Sequence, residues 1–197
     1  MQEAFVGNWA QESHLSAEIL GSLRDLNHRF LDLTAARTTD WVAGCVAPLS
    51  AAQRAAAAGC PYALFDLRFQ DDGHWRLRLQ TSEAWRVADE STADDETVNF
   101  VRLALFYAWH VASSAGLKAQ LLLGMNGTTA AAFRRITVNQ LPALVATEAV
   151  HLSARWSGCA AYWSALTAAA SRADPAALRR VQLYGLQLAA AARLSNP

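Results

Sequence analysis

The stretch VNFVRLALFYAWHVASSAGLKAQLL, residues 98–122, is apolar on nearly every side. A helix of this kind is typically buried at the centre of a protein. Arg102 and His110 interrupt the most apolar part, residues 100–112, which is shorter than the roughly 20 residues that a membrane span needs. The sequence therefore predicts a central core helix and no interaction with a membrane.

Helical periodicity and capping signals recur along the rest of the chain. Apolar residues at helical spacing predict a long amphipathic helix over residues 15–33. Ser50 is a typical N-cap before an alanine-rich helix, and Asp174 with Pro175 starts a last helix that runs to about residue 194. These signals predict a mainly α-helical bundle.

Two segments after the alanine-rich helix alternate apolar and polar residues, which is typical of half-buried strands. YALFDLRF covers residues 62–69 and WRLRLQ covers residues 75–80, with a turn-like link between them. We predict a β-hairpin with one apolar face, and a second short strand over residues 150–156. The other face of the hairpin would carry a cross-strand ladder of charged side chains, namely Asp66, Arg68, Arg76 and Arg78. A solvated strand face explains this ladder most simply, and a site for an anion or a partner is the functional alternative.

The two halves of the sequence resemble each other at an offset of 87 positions. The matching pairs fall at corresponding places of a helix-then-strand unit: Ser50 and Thr137, Gln53 and Gln140, Arg68 and Arg155, Phe69 and Trp156. We predict two pseudo-repeats, residues 1–87 and 98–197, joined by an acidic linker at residues 88–97 and packed as a dimer-like core. The predicted helix of the second copy begins with Thr137 or Asn139 as its cap and has Pro142 in its first turn.

Charge and cysteine usage limit the classes of function. Lysine plus arginine equals aspartate plus glutamate, at 17 each, so nothing in the net charge favours nucleic acid or anionic lipid. Three cysteines without a CxxC pair are typical of reduced thiols, and the first residues do not form a secretory signal. We therefore expect a cytoplasmic protein.

The run LGMNGTTAAAFRRITVNQLPALVAT, residues 123–147, resembles the core of the FlhD-type flagellar transcriptional activators. The matching residues are Leu123, Gly124, Met125, Asn126, Ala130, Thr137, Gln140, Leu144 and Thr147, and residues 152–156 resemble the aromatic and basic segment that follows. The first half of the chain fits only the later part of this pattern. The chain is also longer than these activators, and its predicted hairpin has no place in the family.

The resemblance implies a small helical bacterial regulator of transcription that acts mainly through protein–protein contact. It implies an FlhC-like protein partner or self-association, and DNA binding that is weak or occurs only in a complex. Four arginines and two tryptophans are the candidate contacts with DNA or a partner: Arg134, Arg135, Arg179, Arg180, Trp41 and Trp85. An ordinary solvated helix end explains the pair Arg134 and Arg135 equally well, because cations are favoured near the C-terminus of a helix.

No catalytic, cofactor or metal site is predicted from the motifs. The five histidines have no metal-ligand spacing, and the sequence contains no nucleophile elbow, no phosphate-binding loop and no dinucleotide fingerprint. His110, on the most apolar helix, is the residue most suited to proton chemistry, although a hydrogen-bonded core histidine explains it more simply. The alternative function is a small-molecule-binding protein or enzyme with a pocket near His110 between the halves.

Overall fold

The computed structural model describes residues 3–37, 40–80 and 93–195. The predicted fold class is confirmed, since these ranges contain ten α-helices and one two-stranded antiparallel sheet. The helices are α1 (Glu3–Ala35), α2 (Trp41–Val46), α3 (Ala51–Ala57), α4 (Asp72–Gln80), α5 (Asp95–Ser114), α6 (Gly116–Leu123), α7 (Gly127–Phe133), α8 (Leu141–Glu148), α9 (Ala160–Ser171) and α10 (Pro175–Ser195), and the strands are β1 (Phe65–Asp66) and β2 (Ser153–Ala154). Within the described residues, no helix has the length and apolar character that crossing a membrane requires.

The predicted helix starts in the middle of each half are confirmed. Ser50 caps α3 by accepting the backbone N–H of Gln53 at 3.3 Å, and the Gln53 side chain accepts the N–H of Ser50 at 2.8 Å. Gln140 accepts the N–H of Thr137 at 2.8 Å in the same way. A 3₁₀ turn follows Thr137, and Pro142 lies in the first turn of α8.

The predicted β-hairpin is wrong. β1 pairs with β2, with Phe65 opposite Ala154, and the segment that follows β1 is the helix α4. Asp71 begins this helix by accepting the N–H of His74 at 2.9 Å. Alternation over six residues does not distinguish a strand from a short helix, so the local capping signal prevails.

The predicted charge ladder is wrong for the same reason. Its three arginines pair with acidic side chains elsewhere: Arg68 with Asp71, Arg76 with Asp72 at 2.7 Å, and Arg78 with Glu148 at 3.1 Å. Asp66 lies in β1, where burial raises the pKa of its carboxyl above the usual value.

The long helix predicted over residues 98–122 is broken at Ala115, whose backbone is extended (φ −160°, ψ 95°). The acidic end of the predicted linker is helical instead, because Asp94 accepts the N–H of Thr97 at 2.8 Å and starts α5. Acidic residues favour a helix N-terminus through its partial positive charge. Residues 88–92 of the predicted linker lie outside the described residues.

The strand predicted over residues 150–156 is reduced to the two residues of β2. A 3₁₀ turn, Ala149–His151, comes directly before it, and Trp156 leaves it in a left-handed conformation (φ 53°). β1 and β2 begin 88 positions apart (153 minus 65), so the predicted register of 87 shifts by one residue between the caps and the strands. The internal duplication stays a prediction.

One hydrophobic core contains residues from both halves of the chain. α1 packs against α5, and α3 packs against α9. Asn27 of α1 is fully buried, donates to the carbonyl of Tyr62 at 2.9 Å and accepts the N–H of Leu64 at 2.9 Å. These bonds satisfy backbone groups of the irregular segment between α3 and β1 and hold that segment against α1.

The last helix, α10, approaches the core closely at Gly185. A Cβ at this position would lie 2.0 Å from the hydroxyl oxygen of Tyr62, so a side chain here would push the helix outward. The Tyr62 hydroxyl donates to the carbonyl of Val181, one turn earlier, at 3.4 Å. α10 therefore covers α9 and the buried tyrosines beneath it.

Candidate functional site

Helix α4 is fixed in place by a buried tryptophan. The side chain of Trp75 has no exposed surface, and its indole N–H donates to the carbonyl of Arg68 at 3.0 Å. The ring also lies 4.7 Å, centroid to centroid, from Phe133 of α7. The polar residues of α4 consequently point to two sides, one toward α7 and the other toward the end of α8.

A cleft of about 620 Å³ lies on the α7 side and is called here the α4–α7 cleft. Its apolar lining comes from Trp75, Leu79 and Ile136, among others. Arg76, held by Asp72, and Arg135 add positive charge to the same cleft. This volume lies within the range of about 300–1,000 Å³ that is typical of small-molecule sites.

One polar group of the cleft has no partner. Thr129 is 1% exposed, and its hydroxyl oxygen makes no hydrogen bond in the part of the chain that the structure describes. A buried hydroxyl usually has a partner, because leaving it unsatisfied costs about 1–3 kcal/mol. The Thr129 hydroxyl oxygen is itself shielded from the cleft, so the charge that a bound molecule would meet comes from Arg76 and Arg135.

The other side of α4 carries a histidine–carboxylate cluster, formed by His74, Glu148 and His151. The Nε2 atom of His74 lies 2.7 Å from Oε2 of Glu148, and these side chains are 8% and 0% exposed. The rings of His74 and His151 are nearly perpendicular, at 86°, with centroids 5.1 Å apart. One ligand atom from each residue lies within 4.8 Å of those of the other two, so the cluster has the donors for a metal ion.

Two neighbours hold the other carboxylate oxygen of Glu148. Arg78 places its Nε atom 3.1 Å from Oε1, and the hydroxyl of Thr147 shares its proton between Oε1 at 3.3 Å and the carbonyl of Leu144 at 3.1 Å. Burial lowers the pKa of His151, although the nearby Glu148 carboxylate opposes this change. The neutral imidazole of His151 is the form that binds metal ions.

The buried cysteine Cys60 is unsuited to nucleophilic chemistry. Its Sγ atom lies 3.8 Å from the hydroxyl oxygen of Tyr162, and burial raises its pKa to about 11. A thiol with such a pKa is protonated at neutral pH, whereas the thiolate is the nucleophile.

Helix α10 presents an exposed stripe on its outer side, called here the α10 seam, formed by the apolar residues Leu183, Leu186 and Ala190 together with Arg179. Leu183 is 61% exposed and Leu186 is 41% exposed, while Arg179 and Ala190 are also exposed. The spacing of four, three and four residues puts these side chains on one side of the helix. Val181, Ala177 and Gly185 form the opposite, buried side.

The predicted arginine contacts lie in two places. Arg134 and Arg135 are exposed at the end of α7, and Arg135 lines the α4–α7 cleft. Arg179 and Arg180 are exposed on α10. Among the most extensive contacts of the described elements, α7 packs against α4, α5 and α6, whereas α10 packs against α9.

The remaining predicted residues have different surroundings. Trp41 is 42% exposed, and its indole N–H donates to the carbonyl of Ser157 at 2.9 Å, so part of this side chain serves the fold. Trp85 lies outside the described residues. His110 is exposed rather than buried, at the edge of a groove of about 440 Å³ that residues of α1 and α5 form.

The histidine–carboxylate cluster was not predicted from the sequence. A signal for it was present, because Glu148 and His151 form a Glu-x-x-His pair, a spacing that metal sites on helices use. His74 is distant in sequence and comes close only through the packing of α4. The chain matches no protein-family model, and no curated protein and no solved structure gives a significant match.

Proposed function

We propose that this chain is a non-enzymatic regulatory or scaffold protein that acts through contact with a protein partner. The observation that carries the proposal is the α10 seam, where Leu183 and Leu186 are exposed beside Arg179. The resemblance of residues 123–156 to the FlhD-type activators supports a role in the regulation of transcription, with an FlhC-like partner.

The seam fits a partner helix better than a flat surface. Apolar residues separated by four and three positions are the pattern with which two helices pack side by side. Burial of an exposed leucine side chain contributes about 1.5–3 kcal/mol, so two leucines supply a substantial part of a binding free energy. Arg179 at one end of the seam adds a contact for an acidic residue of the partner.

DNA is a secondary partner in this proposal. The chain has no net charge, and its arginine pairs lie on helices with different packing partners. Four phosphate contacts would give a slope of about −3.6 in a plot of log affinity against log salt concentration. We expect weak, non-specific binding by the isolated chain and useful affinity only together with a partner that carries a basic surface.

The proposal is tested by purifying tagged protein from its native host and comparing three forms. The wild type should retain a protein partner that the double variant Leu183→Ser/Leu186→Ser loses. The matched control is Leu117→Ser/Leu121→Ser on α6, where the leucines are 64% and 46% exposed, and it should retain the partner. Equal retention by the α10 variant and the wild type would contradict the proposal.

Self-association is a separate outcome of the same comparison. Light scattering on the purified wild type would show a dimer that the Leu183→Ser/Leu186→Ser variant loses if the seam binds a second copy of this chain. In that case the seam would still be the contact surface, but the partner would be a second copy of this chain rather than a different protein.

A second candidate function is the binding of a small molecule in the α4–α7 cleft. The arginine side chains of the cleft, Arg76 and Arg135, favour a compact molecule with an acidic group. The cleft is larger than the groove beside His110, at about 620 Å³ against 440 Å³. Native mass spectrometry tests this function, because a bound molecule that Arg135→Ala releases would support it.

A further inference from the structure

We propose that His74, Glu148 and His151 bind a divalent transition metal ion, with Zn²⁺ as the ion that best suits the donors. The proposed site joins α4 to the end of α8 and is independent of the function proposed for the α10 seam. It runs against the expectation from sequence that the protein has no metal site.

The donor set is two imidazole nitrogens and one carboxylate oxygen. Zn²⁺ sites with three protein ligands of these types leave one position for water or another ligand. Zinc–nitrogen bonds of about 2.0–2.1 Å in a tetrahedral site place ligand atoms about 3.3 Å apart. The ligand atoms here lie within 4.8 Å of one another, and the closest contact, from His74 to Glu148, is 2.7 Å. Metal binding therefore requires the His74–Glu148 contact to lengthen and any contact beyond about 3.3 Å to shorten.

The backbone already holds the three residues in place. Glu148 ends α8 and His151 ends the 3₁₀ turn that follows, so both side chains come from one continuous segment. His74 is fixed by the cap of α4 and by the buried Trp75 beside it. The backbone of the proposed site is therefore in place before the ion binds.

The outer contacts also suit a metal ligand. Arg78 and Thr147 both hold Oε1 of Glu148, which leaves Oε2 directed toward His74. Partners of this kind orient a ligating carboxylate, and their loss typically weakens metal binding by 10- to 100-fold. The positive charge of Arg78 opposes a cation but is already neutralised by Glu148.

The competing explanation is that the cluster is a structural ion pair that binds no metal. Substitution of His151 distinguishes the two explanations. His74, Arg78 and Glu148 account for an ion-pair network without any third ligand. In the part of the chain that the structure describes, His151 meets His74 through a perpendicular ring contact and belongs to neither ion pair of Glu148. Its removal therefore leaves the ion-pair network complete but deletes one metal ligand.

The test is a calorimetric titration of the chelator-treated full chain with Zn²⁺. The wild type should bind one equivalent, and His151→Ala should lower the affinity by at least about tenfold. His110→Ala is the matched control, because His110 is an exposed histidine outside the cluster, and its affinity should equal that of the wild type. Circular dichroism should show that all three proteins are equally folded.

Substitution of Co²⁺ for Zn²⁺ identifies the ligands directly. Nitrogen and oxygen ligands in a site of low coordination give visible d–d absorption bands without the intense ultraviolet band of a thiolate ligand. These bands should appear with the wild type and weaken with His151→Ala. The absence of stoichiometric binding by the wild type, equal affinity of His151→Ala, or a thiolate band would each overturn the proposal.

Discussion

Helices α4 and α9 occupy corresponding places in the two halves of the chain but differ in the chemistry that they present. They begin 88 positions apart (160 minus 72), and each follows one strand of the small sheet. Each buries a tryptophan whose indole N–H donates to the carbonyl of an arginine before the helix: Trp75 to Arg68 at 3.0 Å, and Trp163 to Arg155 at 2.9 Å.

The difference lies in what surrounds each helix. α9 packs against α2, α3 and α10, and its buried residues are nearly all apolar or aromatic. Among the described elements, α4 has its most extensive contact with α7, and it directs His74, Arg76 and Arg78 toward a carboxylate or a cleft. The two helices therefore share an anchoring tryptophan, but α9 serves the packing of the core, whereas α4 carries the proposed metal ligand His74.

The largest effect is expected when the shared tryptophan is removed. Trp163→Ala should lower the free energy of unfolding by about 3–5 kcal/mol, because it empties a fully buried position. Trp75→Ala should cost a similar amount and should also reduce Zn²⁺ binding, since Trp75 fixes the helix that carries His74. Urea unfolding measures both. A loss below 1 kcal/mol in either variant would mean that its tryptophan does not anchor the helix.

The charged cluster of α4 should contribute more than an exposed ion pair on the same helix. Glu148→Gln removes a buried carboxylate that holds both His74 and Arg78, and we expect a loss of about 1.5–3 kcal/mol in metal-free protein. The control is Asp72→Asn, where the pair with Arg76 is exposed and is worth about 0–1 kcal/mol. Equal losses of unfolding free energy in the two variants would contradict the prediction that the buried cluster contributes more than the exposed ion pair.

The close packing of α10 against α9 depends on Gly185. Gly185→Ala should cost about 1–3 kcal/mol, because its Cβ would lie 2.0 Å from the hydroxyl oxygen of Tyr62. The control is Gly21→Ala in α1, where a Cβ meets nothing within 4 Å and where alanine should stabilise the helix by about 0.4–1 kcal/mol. Thermal unfolding of the two variants should therefore change in opposite directions.

The smallest effect concerns the pH dependence of the metal-free protein. Burial lowers the pKa of His151 below 6.5, so the unfolded chain binds a proton more readily than the folded chain. The contribution of His151 to stability is fully present above the pKa that it has in the unfolded chain. This contribution is lost as the pH falls through 6.5 toward the lower pKa that it has in the folded chain. In the His151→Ala variant, the free energy of unfolding should change less between pH 7.5 and pH 5 than in the wild type. An equal change in the two proteins would show that His151 does not cause the pH dependence.

Local signals predicted much of this fold. The caps at Ser50, Thr137 and Asp174 were identified because a cap depends on only a few consecutive residues. The strand pairing was missed because β1 and β2 lie in different halves, and alternation within residues 75–80 carried no information about a distant partner. The break at Ala115 was missed because apolar residues continue on both sides of it, although Ser113, Ser114 and Gly116 are poor helix formers.

The histidine–carboxylate cluster shows the same limit for function. Two of its members, Glu148 and His151, are close in sequence, but His74 is 74 positions before Glu148. Only the tertiary contact of α4 with the end of α8 assembles the three side chains. The exposure of Leu183 and Leu186 was likewise decided by which side of α10 faces α9, and no local pattern specifies that choice.

Hydrogen–deuterium exchange with and without Zn²⁺ tests the contrast between α4 and α9 most directly. The account predicts slower exchange on addition of Zn²⁺ in peptides that cover α4 and residues 148–151, and unchanged exchange in peptides that cover α9. The His151→Ala variant should lose the protection at both places. Unchanged exchange in α4, or equal protection of α4 and α9, would contradict the account.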